Sequence, residues 1–246
     1  MKLIKWDELP DNMKNNEVRY YYEILSKKKT HLLYKRIFDL IVALILLIVL
    51  SPIMLVVSLA IKLTDRGPVF YRQVRVTQYG KEFKIFKFRT MVMNADKIGT
   101  QVTVGDDPRI TKVGKKIRKL RLDEIPQLLN VICGDMSFVG TRPEVVKYVE
   151  KYTNEMLATL LLPAGITSKA SIKFKDEDKI LEIANNVDKT YIEEVLPKKM
   201  YFNLNSIKEF TFHGEIKVMV ETVLAVFSKD KYSESVEEII SNEVNK

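Results

Sequence analysis

Two adjacent carboxylates, Asp123 and Glu124, are the residues best suited to chemistry in this sequence of 246 residues. They lie just before Pro126, and proline is favoured in the first turn of a helix, so we expect the pair at a helix N-terminus. Neighbouring helical residues point about 100° apart, which would give the carboxylates different tasks. An aspartate can accept a phosphoryl group, and a carboxylate can hold Mg²⁺ beside substrate phosphates. The alternative, which an isolated pair favours, is that both only interact with the helix dipole.

A run of positive charge directly precedes this pair. Residues 112–121 contain six Lys and Arg and no acidic residue. Ile117 and Leu120 interrupt the run three residues apart, which is typical of a basic amphipathic helix at a membrane surface. A charge run is more often only a solvated face. The apolar spacing over 215–227 predicts a second amphipathic helix.

A β-hairpin is predicted upstream of the basic run. Residues 69–76 and 83–89 flank a turn at Tyr79-Gly80. Side chains alternate along a strand, so Lys87 and Arg89 fall on one face of the second strand. The hairpin could therefore present two cations to the same site.

One apolar stretch, Leu40 to Ile61, runs for 22 residues without a charge. As a helix it would be about 33 Å long, enough to span a bilayer. Ser51 and Pro52 lie in its middle, and proline kinks or breaks a helix. Basic residues at both ends (Lys35, Arg36, Lys62 and Arg66) suggest that both ends stay cytoplasmic. These residues alone favour neither a re-entrant nor a spanning helix.

Two single residues add smaller expectations. Asp39 lies near the start of the apolar stretch, and an ionisable group there usually has a partner, for which Arg36 is in reach on a helix. Cys133 follows an apolar run and is expected to be a small buried side chain.

The composition narrows the classes of function. The net charge of +8 indicates an anionic partner: nucleic acid, anionic lipid or a phosphorylated substrate. The long apolar stretch argues against nucleic acid. With one cysteine and two histidines, an intrachain disulfide is excluded, and Ser-His-Asp or His-rich metal sites have little support.

Several ordered motifs resemble the bacterial sugar transferase family, the monotopic polyprenyl-phosphate phosphoglycosyl transferases. The resemblance covers about residues 33–228. Its motifs are Pro68-Val-Phe-Tyr-Arg-Gln73, Lys87-Phe-Arg-Thr-Met91, Asp107-Pro-Arg-Ile-Thr111, Leu122-Asp-Glu-Ile-Pro-Gln-Leu128, Gly134-Asp-Met-Ser-Phe-Val-Gly-Thr-Arg-Pro-Glu144 and Leu196-Pro-Lys-Lys199.

The resemblance implies a role for each matched residue. Asp123 matches the nucleophile that forms a covalent phosphosugar intermediate and expels UMP, and Glu124 matches the Mg²⁺ partner. Ser51 and Pro52 match the break that makes the membrane helix re-entrant. The remaining matches are the basic pair at the membrane mouth, Lys35 and Arg36, and the phosphate-binding candidates Lys87, Arg89, Arg118 and Arg142. For Arg118 a fold-stabilising role is as well supported.

The sequence departs from the family pattern in two places. The usual Pro-Arg-Pro is Thr141-Arg142-Pro143 here. The segment Pro163 to Ser171 keeps only the start of the Pro-Gly-Ile-Thr-Gly run of larger relatives. We expect these two changes to bear on donor choice or activity.

We therefore expect an α+β monotopic membrane protein with a re-entrant helix-break-helix, surface amphipathic helices and a small β-hairpin or sheet. The expected parts are an N-terminal extension (1–34), the re-entrant helix (35–66), a catalytic domain (67–228) and a polar tail (229–246). No role is assigned to the extension or the tail.

The expected reaction moves a sugar 1-phosphate from a UDP-sugar to undecaprenyl phosphate with Mg²⁺, as the first membrane step of surface-glycan synthesis. The expected location is the cytoplasmic face of the bacterial inner membrane. Membrane lipids and downstream glycosyltransferases are the further expected partners, nucleic acid is not one, and a homodimer stays open. The alternative is a membrane-anchored, non-catalytic binding module that uses the basic helix.

Overall fold

The computed structural model describes residues 1–64, 66–95, 107–174, 177, 181 and 186–227. The predicted tail, 229–246, lies outside the described residues. The helices are α1 (Asn16–Ser26), α2 (Lys29–Thr64), α3 (Lys112–Lys119), α4 (Gln127–Cys133), α5 (Val146–Val149), α6 (Lys169–Lys173), α7 (Val187–Thr190), α8 (Leu196–Lys208) and α9 (Phe212–Phe227). The strands are β1 (Phe70–Val76), β2 (Glu82–Phe88), β3 (Met136–Val139) and β4 (Ala164–Thr167). This mixture confirms the α+β part of the predicted fold class.

Helix α2 continues through Ser51 and Pro52 without interruption. Pro52 has no N–H to donate to the carbonyl of Ile48, four residues earlier. The Ser51 hydroxyl donates to that Ile48 oxygen instead, at 2.8 Å. The predicted division into two helices is therefore not observed, because the neighbouring serine replaces the donor that proline lacks. The helix also begins at Lys29, six residues before the predicted boundary.

The two sides of α2 have opposite environments. One stripe packs against the rest of the protein: Ala43 contacts the cluster with Val131, and Ile61 contacts the cluster with Ile117. The other side exposes a continuous apolar surface formed by Ile41, Ile48, Val49, Leu55, Val56 and Leu59. In the described part of the chain, α2 is the one helix long and apolar enough to cross a membrane. A re-entrant path stays a prediction.

Two small sheets position the polar segments. Strands β1 and β2 form the predicted antiparallel hairpin, in which Tyr71 pairs with Lys87. Strands β3 and β4 form a parallel pair that the sequence analysis missed, because each has only four residues. Gly140 and Gly165 meet beyond this pair so closely that a Cβ on Gly165 would lie 2.2 Å from the Gly140 nitrogen.

The N-terminal extension packs onto the rest of the protein. Leu9, Val18 and Leu25 are buried in one cluster with Leu161 and Ile207. The hydroxyl of Tyr21 donates to Glu155, 134 residues away, at 2.5 Å. Residues 1–26 are thus part of the same packed unit as α8.

Candidate active site

A tight turn presents Asp123 and Glu124. Helix α3 ends at Lys119, and Arg121 then adopts a left-handed conformation, with φ of 55°. Leu122–Glu124 form a single 3₁₀ turn before Pro126 and α4. Because a 3₁₀ helix has three residues per turn, adjacent side chains point about 120° apart. The two carboxylates therefore face different surroundings, as their adjacency predicted.

Glu124 lies between two cations from distant segments. Its Oε1 accepts from Lys87 Nζ at 3.0 Å and from Arg142 Nη2 at 2.5 Å. Although burial raises its pKa, the charges and hydrogen bonds of Arg142 and Lys87 prevail and hold the pKa of Glu124 well below its usual value. Burial conversely lowers the pKa of Lys87, and Glu124 opposes that shift. Glu124 therefore stays ionised and fixes the two cations.

Asp123 faces a cavity of about 340 Å³. Burial, followed by the neighbouring Glu124 charge, raises its pKa above the ordinary aspartate value, while Lys87 and Arg118 oppose the shift. Unlike Glu124, Asp123 has no side-chain ion pair among the described residues. Its carboxylate is therefore the one that an incoming group can reach.

The cavity wall around Asp123 is strongly cationic. It includes the predicted candidates Lys87, Arg89 and Arg118, together with Arg72, Arg75 and Arg109, which the sequence analysis did not single out. Arg109 belongs to the motif Asp107-Pro-Arg-Ile-Thr111. Arg75 lies two residues after Gln73, so the alternation of side chains along β1 could have placed both on one face of the strand. In the described part of the wall, Asp123 is the only acidic side chain. Such a wall suits a substrate with several phosphate charges.

Internal contacts hold several of these cations in place. Arg118 Nε donates to the Thr90 hydroxyl at 2.8 Å, so this arginine both lines the cavity and fixes the segment after β2. Arg109 forms a short ion pair with Asp107. Arg89 is 6% exposed, so its guanidinium is held within the wall.

Behind Arg142, a second charge cluster supports the same segment. Glu144 is buried and accepts a hydrogen bond from the Tyr191 hydroxyl at 2.5 Å. Lys199, from the predicted Leu-Pro-Lys-Lys motif, lies 3.7 Å from Glu144 and 2.9 Å from Glu177. The motif thus places a lysine between the buried Glu144 and the partly exposed Glu177, next to the Arg142 segment.

The predicted membrane-mouth pair, Lys35 and Arg36, is turned inward. Lys35 is 2% exposed and forms an ion pair with Glu215 of α9. Arg36 donates to the main-chain oxygens of Val131 at 2.7 Å and Ile132 at 3.1 Å. The two residues therefore attach α2 to α9 and α4.

Two smaller expectations are corrected. Asp39 is 1% exposed and accepts from the Ser137 hydroxyl at 2.7 Å, so its partner is a residue of β3 and not Arg36. Cys133 is exposed, because it is the last residue of the short helix α4 and Gly134 ends the helix there.

A Mg²⁺ ion fits this site only if protein carboxylates and substrate phosphates coordinate it together. No group of three or more candidate metal-binding side chains occurs among the described residues. Mg²⁺ commonly takes one or two carboxylates and fills its shell with water and substrate phosphates. Glu124 Oε1 is occupied by two cations, but Oε2 has a single long contact, 3.5 Å to Arg142 Nη1. Glu124 Oε2 and Asp123 are the oxygens that could hold the ion.

The two departures from the family pattern lie side by side. Gly165 N donates to the Thr141 oxygen at 2.8 Å, and Gly140 N donates to the Thr167 oxygen at 3.0 Å. The main chain of Thr141 therefore contacts the altered segment that begins at Pro163.

Comparisons with known proteins agree with the motifs. The family described as bacterial sugar transferase matches residues 30–229. The chain is 38% identical over 200 residues to the UDP-glucose:undecaprenyl-phosphate glucose-1-phosphate transferase of Escherichia coli K12, covering 79% of this chain and 40% of the relative. It is 34% identical over 222 residues to the undecaprenyl-phosphate galactose phosphotransferase of Salmonella typhimurium, covering 84% of this chain and 43% of the relative.

A shorter relative is covered over most of its length. The exopolysaccharide production protein ExoY of Sinorhizobium fredii is 33% identical over 207 residues, covering 78% of this chain and 84% of the relative. The chain thus spans about 40% of the length of the Escherichia coli protein and most of the length of this one.

Proposed function

The chain belongs to the bacterial sugar transferase family, and we propose on this premise that it transfers a sugar 1-phosphate from a UDP-sugar to undecaprenyl phosphate. The observation that carries the proposal is Asp123, a reachable carboxylate in a cationic cavity beside a fixed Glu124. The names of the relatives supply the classes of donor and acceptor.

In the first step, Asp123 attacks the phosphorus that carries the sugar. A bond forms between its carboxylate oxygen and this phosphorus, and the bond to the oxygen bridging the two phosphates breaks. UMP leaves with the bridging oxygen, and a phosphosugar-aspartate remains. The cationic wall stabilises the negative charge that develops on the phosphates.

In the second step, an oxygen of undecaprenyl phosphate attacks the same phosphorus. The bond to Asp123 breaks, the carboxylate is regenerated, and the sugar leaves on a lipid diphosphate. Lys87 and Arg142 keep Glu124 in one position through both steps, so the site requires little rearrangement between them.

Magnesium belongs to the proposal as the group that would neutralise the substrate diphosphate when bound. Glu124 Oε2 and Asp123 would hold it, with the remaining ligands coming from phosphate and water.

The location proposed for the enzyme is the cytoplasmic face of the inner membrane. The exposed apolar side of α2 supports insertion into lipid, and both halves of this helix pack against the same catalytic unit. Val220, Val223 and Leu224 of α9 add exposed apolar surface. A re-entrant α2 would keep both ends, and the cavity, on the side where the nucleotide donor and downstream glycosyltransferases are found.

The decisive experiment measures UMP release from a panel of UDP-sugars, with undecaprenyl phosphate and Mg²⁺. The relatives are named for glucose, galactose and N-acetylgalactosamine, so the panel includes these three. We expect UMP from at least one donor, together with a lipid-linked sugar. Absence of UMP from every donor, with or without Mg²⁺, would favour the non-catalytic binding module.

A further inference from the structure

Arg75 is a cavity residue whose side chain is held by neutral groups. It lies on β1, on the same face as Gln73, and lines the cavity that Asp123 faces. Its Nε and Nη2 donate to Gln73 Oε1 at 3.1 and 2.7 Å. Its Nη1 donates to the Pro143 oxygen at 3.0 Å. These contacts fix the plane of the guanidinium.

Two donors of Arg75 are not used by its contacts with Gln73 and Pro143. A guanidinium has five N–H groups, two on each terminal nitrogen. The contacts above use one N–H on each of the three nitrogens. One N–H on Nη1 and one on Nη2 remain, and charged donors of this kind bind phosphate oxygens.

The charge around Arg75 is not balanced. In the described part of the chain, no carboxylate lies within ion-pair distance of it. Lys87 and Arg142 are its cationic neighbours, and both are paired with Glu124. The nearby Glu144 already pairs with Tyr191 and Lys199. Because partly buried charges are costly without counterions, this arrangement calls for an anion.

We propose that Arg75, oriented by Gln73, is a phosphate-binding residue that contacts the diphosphate of the nucleotide-sugar. This inference rests on the proposed function, which supplies the donor. Gln73 orients the guanidinium without neutralising it. A carboxylate at that position would instead cancel its charge. Contact with Pro143, next to Arg142, connects donor binding to the segment that fixes Glu124.

The test compares binding of UDP and of uridine to the full-length protein by titration calorimetry, in detergent with Mg²⁺. Arg75→Gln removes the charge. Lys84→Gln is the matched control, because Lys84 is an exposed cation on the face of the hairpin opposite Arg75. We expect Arg75→Gln to weaken UDP binding by about tenfold to a hundredfold. Uridine binding by Arg75→Gln, and UDP binding by Lys84→Gln, should match wild type.

Gln73→Leu provides a second variant in which Arg75 stays but loses its orienting partner. We expect a smaller loss of UDP affinity, about threefold to tenfold, with uridine binding unchanged. The inference is overturned if UDP affinity is unchanged in both variants, or if uridine affinity falls as much as UDP affinity. If the wild type releases UMP and both variants bind UDP normally, this inference alone is rejected. If the wild type neither binds UDP nor releases UMP, the proposed function is rejected as well.

Discussion

Two groups of buried or partly buried charged residues differ in how their charges are balanced. At the start of α2, Lys35 pairs with Glu215, and Asp39 accepts from Ser137. At the cavity, Lys87 and Arg142 share Glu124, and Arg75 has only neutral acceptors. The first group is complete without a ligand, whereas the second carries excess positive charge.

We propose that this difference distinguishes charged residues that attach α2 to the protein from charged residues that bind the substrate. Buried ions are stable only when paired or hydrogen-bonded, so a balanced group can serve the fold alone. Under the proposed function, an anionic substrate completes the unbalanced cationic group beside Asp123. Lys35 and Arg36 are the same residue types as Lys87 and Arg142, but their partners, Glu215 and the main chain of α4, attach α2 to the protein.

The largest effect is expected from Asp123→Asn, which removes the reachable carboxylate. An amide does not form an acyl phosphate, so UMP release should fall by roughly four orders of magnitude or more. Thermal unfolding should stay near that of wild type, because Asp123 has no ion pair among the described residues. Asp11→Asn, at an exposed carboxylate, is the control and should keep full activity. An active Asp123→Asn enzyme would remove this residue from the mechanism.

Glu124→Gln tests the centre of the unbalanced group. It removes the counterion of Lys87 and Arg142 and a ligand proposed for Mg²⁺. Turnover should fall by about two to three orders of magnitude, and half-maximal activity should require more Mg²⁺. The measurement is a Mg²⁺ titration of UMP release from both proteins. Superimposable titration curves would mean that Glu124 is not the metal partner.

Lys35→Met tests the balanced group. The change leaves Glu215 buried without its partner, and we expect a loss of about 3–5 kcal/mol in the free energy of unfolding. The double variant Lys35→Met with Glu215→Leu should recover most of this loss, because neither charge is then left alone. Denaturant unfolding in detergent gives both values. A double variant no more stable than the single one would contradict the attachment role.

The smallest change in catalytic chemistry is expected from Ser51→Leu combined with Pro52→Ala. These substitutions restore the backbone donor and remove the polar side chain, giving a regular apolar helix long enough to span. Residues 1–34 should then tend to move to the opposite face, which would also break their packing against α8 and lower the stability of the variant. Cysteines at positions 30 and 66, in a Cys133→Ser background because Cys133 is exposed, report the side by labelling. A wild type labelled at position 30 from the periplasm would refute the re-entrant proposal.

The features predicted well depend on local patterns. The hairpin follows from strand alternation around Tyr79-Gly80, and α4 follows from Pro126 and Gly134. The predicted helix over 112–121 was also confirmed, as α3. In each case neighbouring residues carry the whole signal.

The features missed depend on contacts between distant segments. The β3–β4 pair joins two four-residue segments, and neither is long enough to show a periodicity. Arg36 was expected to pair with Asp39 on the same helix, but Val131, Ile132 and Ser137 provide the partners. The role of Arg75 depends on Pro143, 68 residues away. Sequence motifs pointed to Asp123 and Glu124, but only the fold shows which cations lack a counterion.

The central claim is that Asp123 carries the sugar phosphate, and intact-protein mass spectrometry tests it most directly. The protein is mixed with the UDP-sugar that gives UMP in the panel, without undecaprenyl phosphate, and quenched in acid. We predict a mass increase equal to one sugar phosphate, located on the peptide that contains Asp123, with an equal amount of UMP and no adduct on Asp123→Asn. UMP that forms only when the lipid is present, on a protein whose mass never changes, would contradict the account in favour of direct transfer.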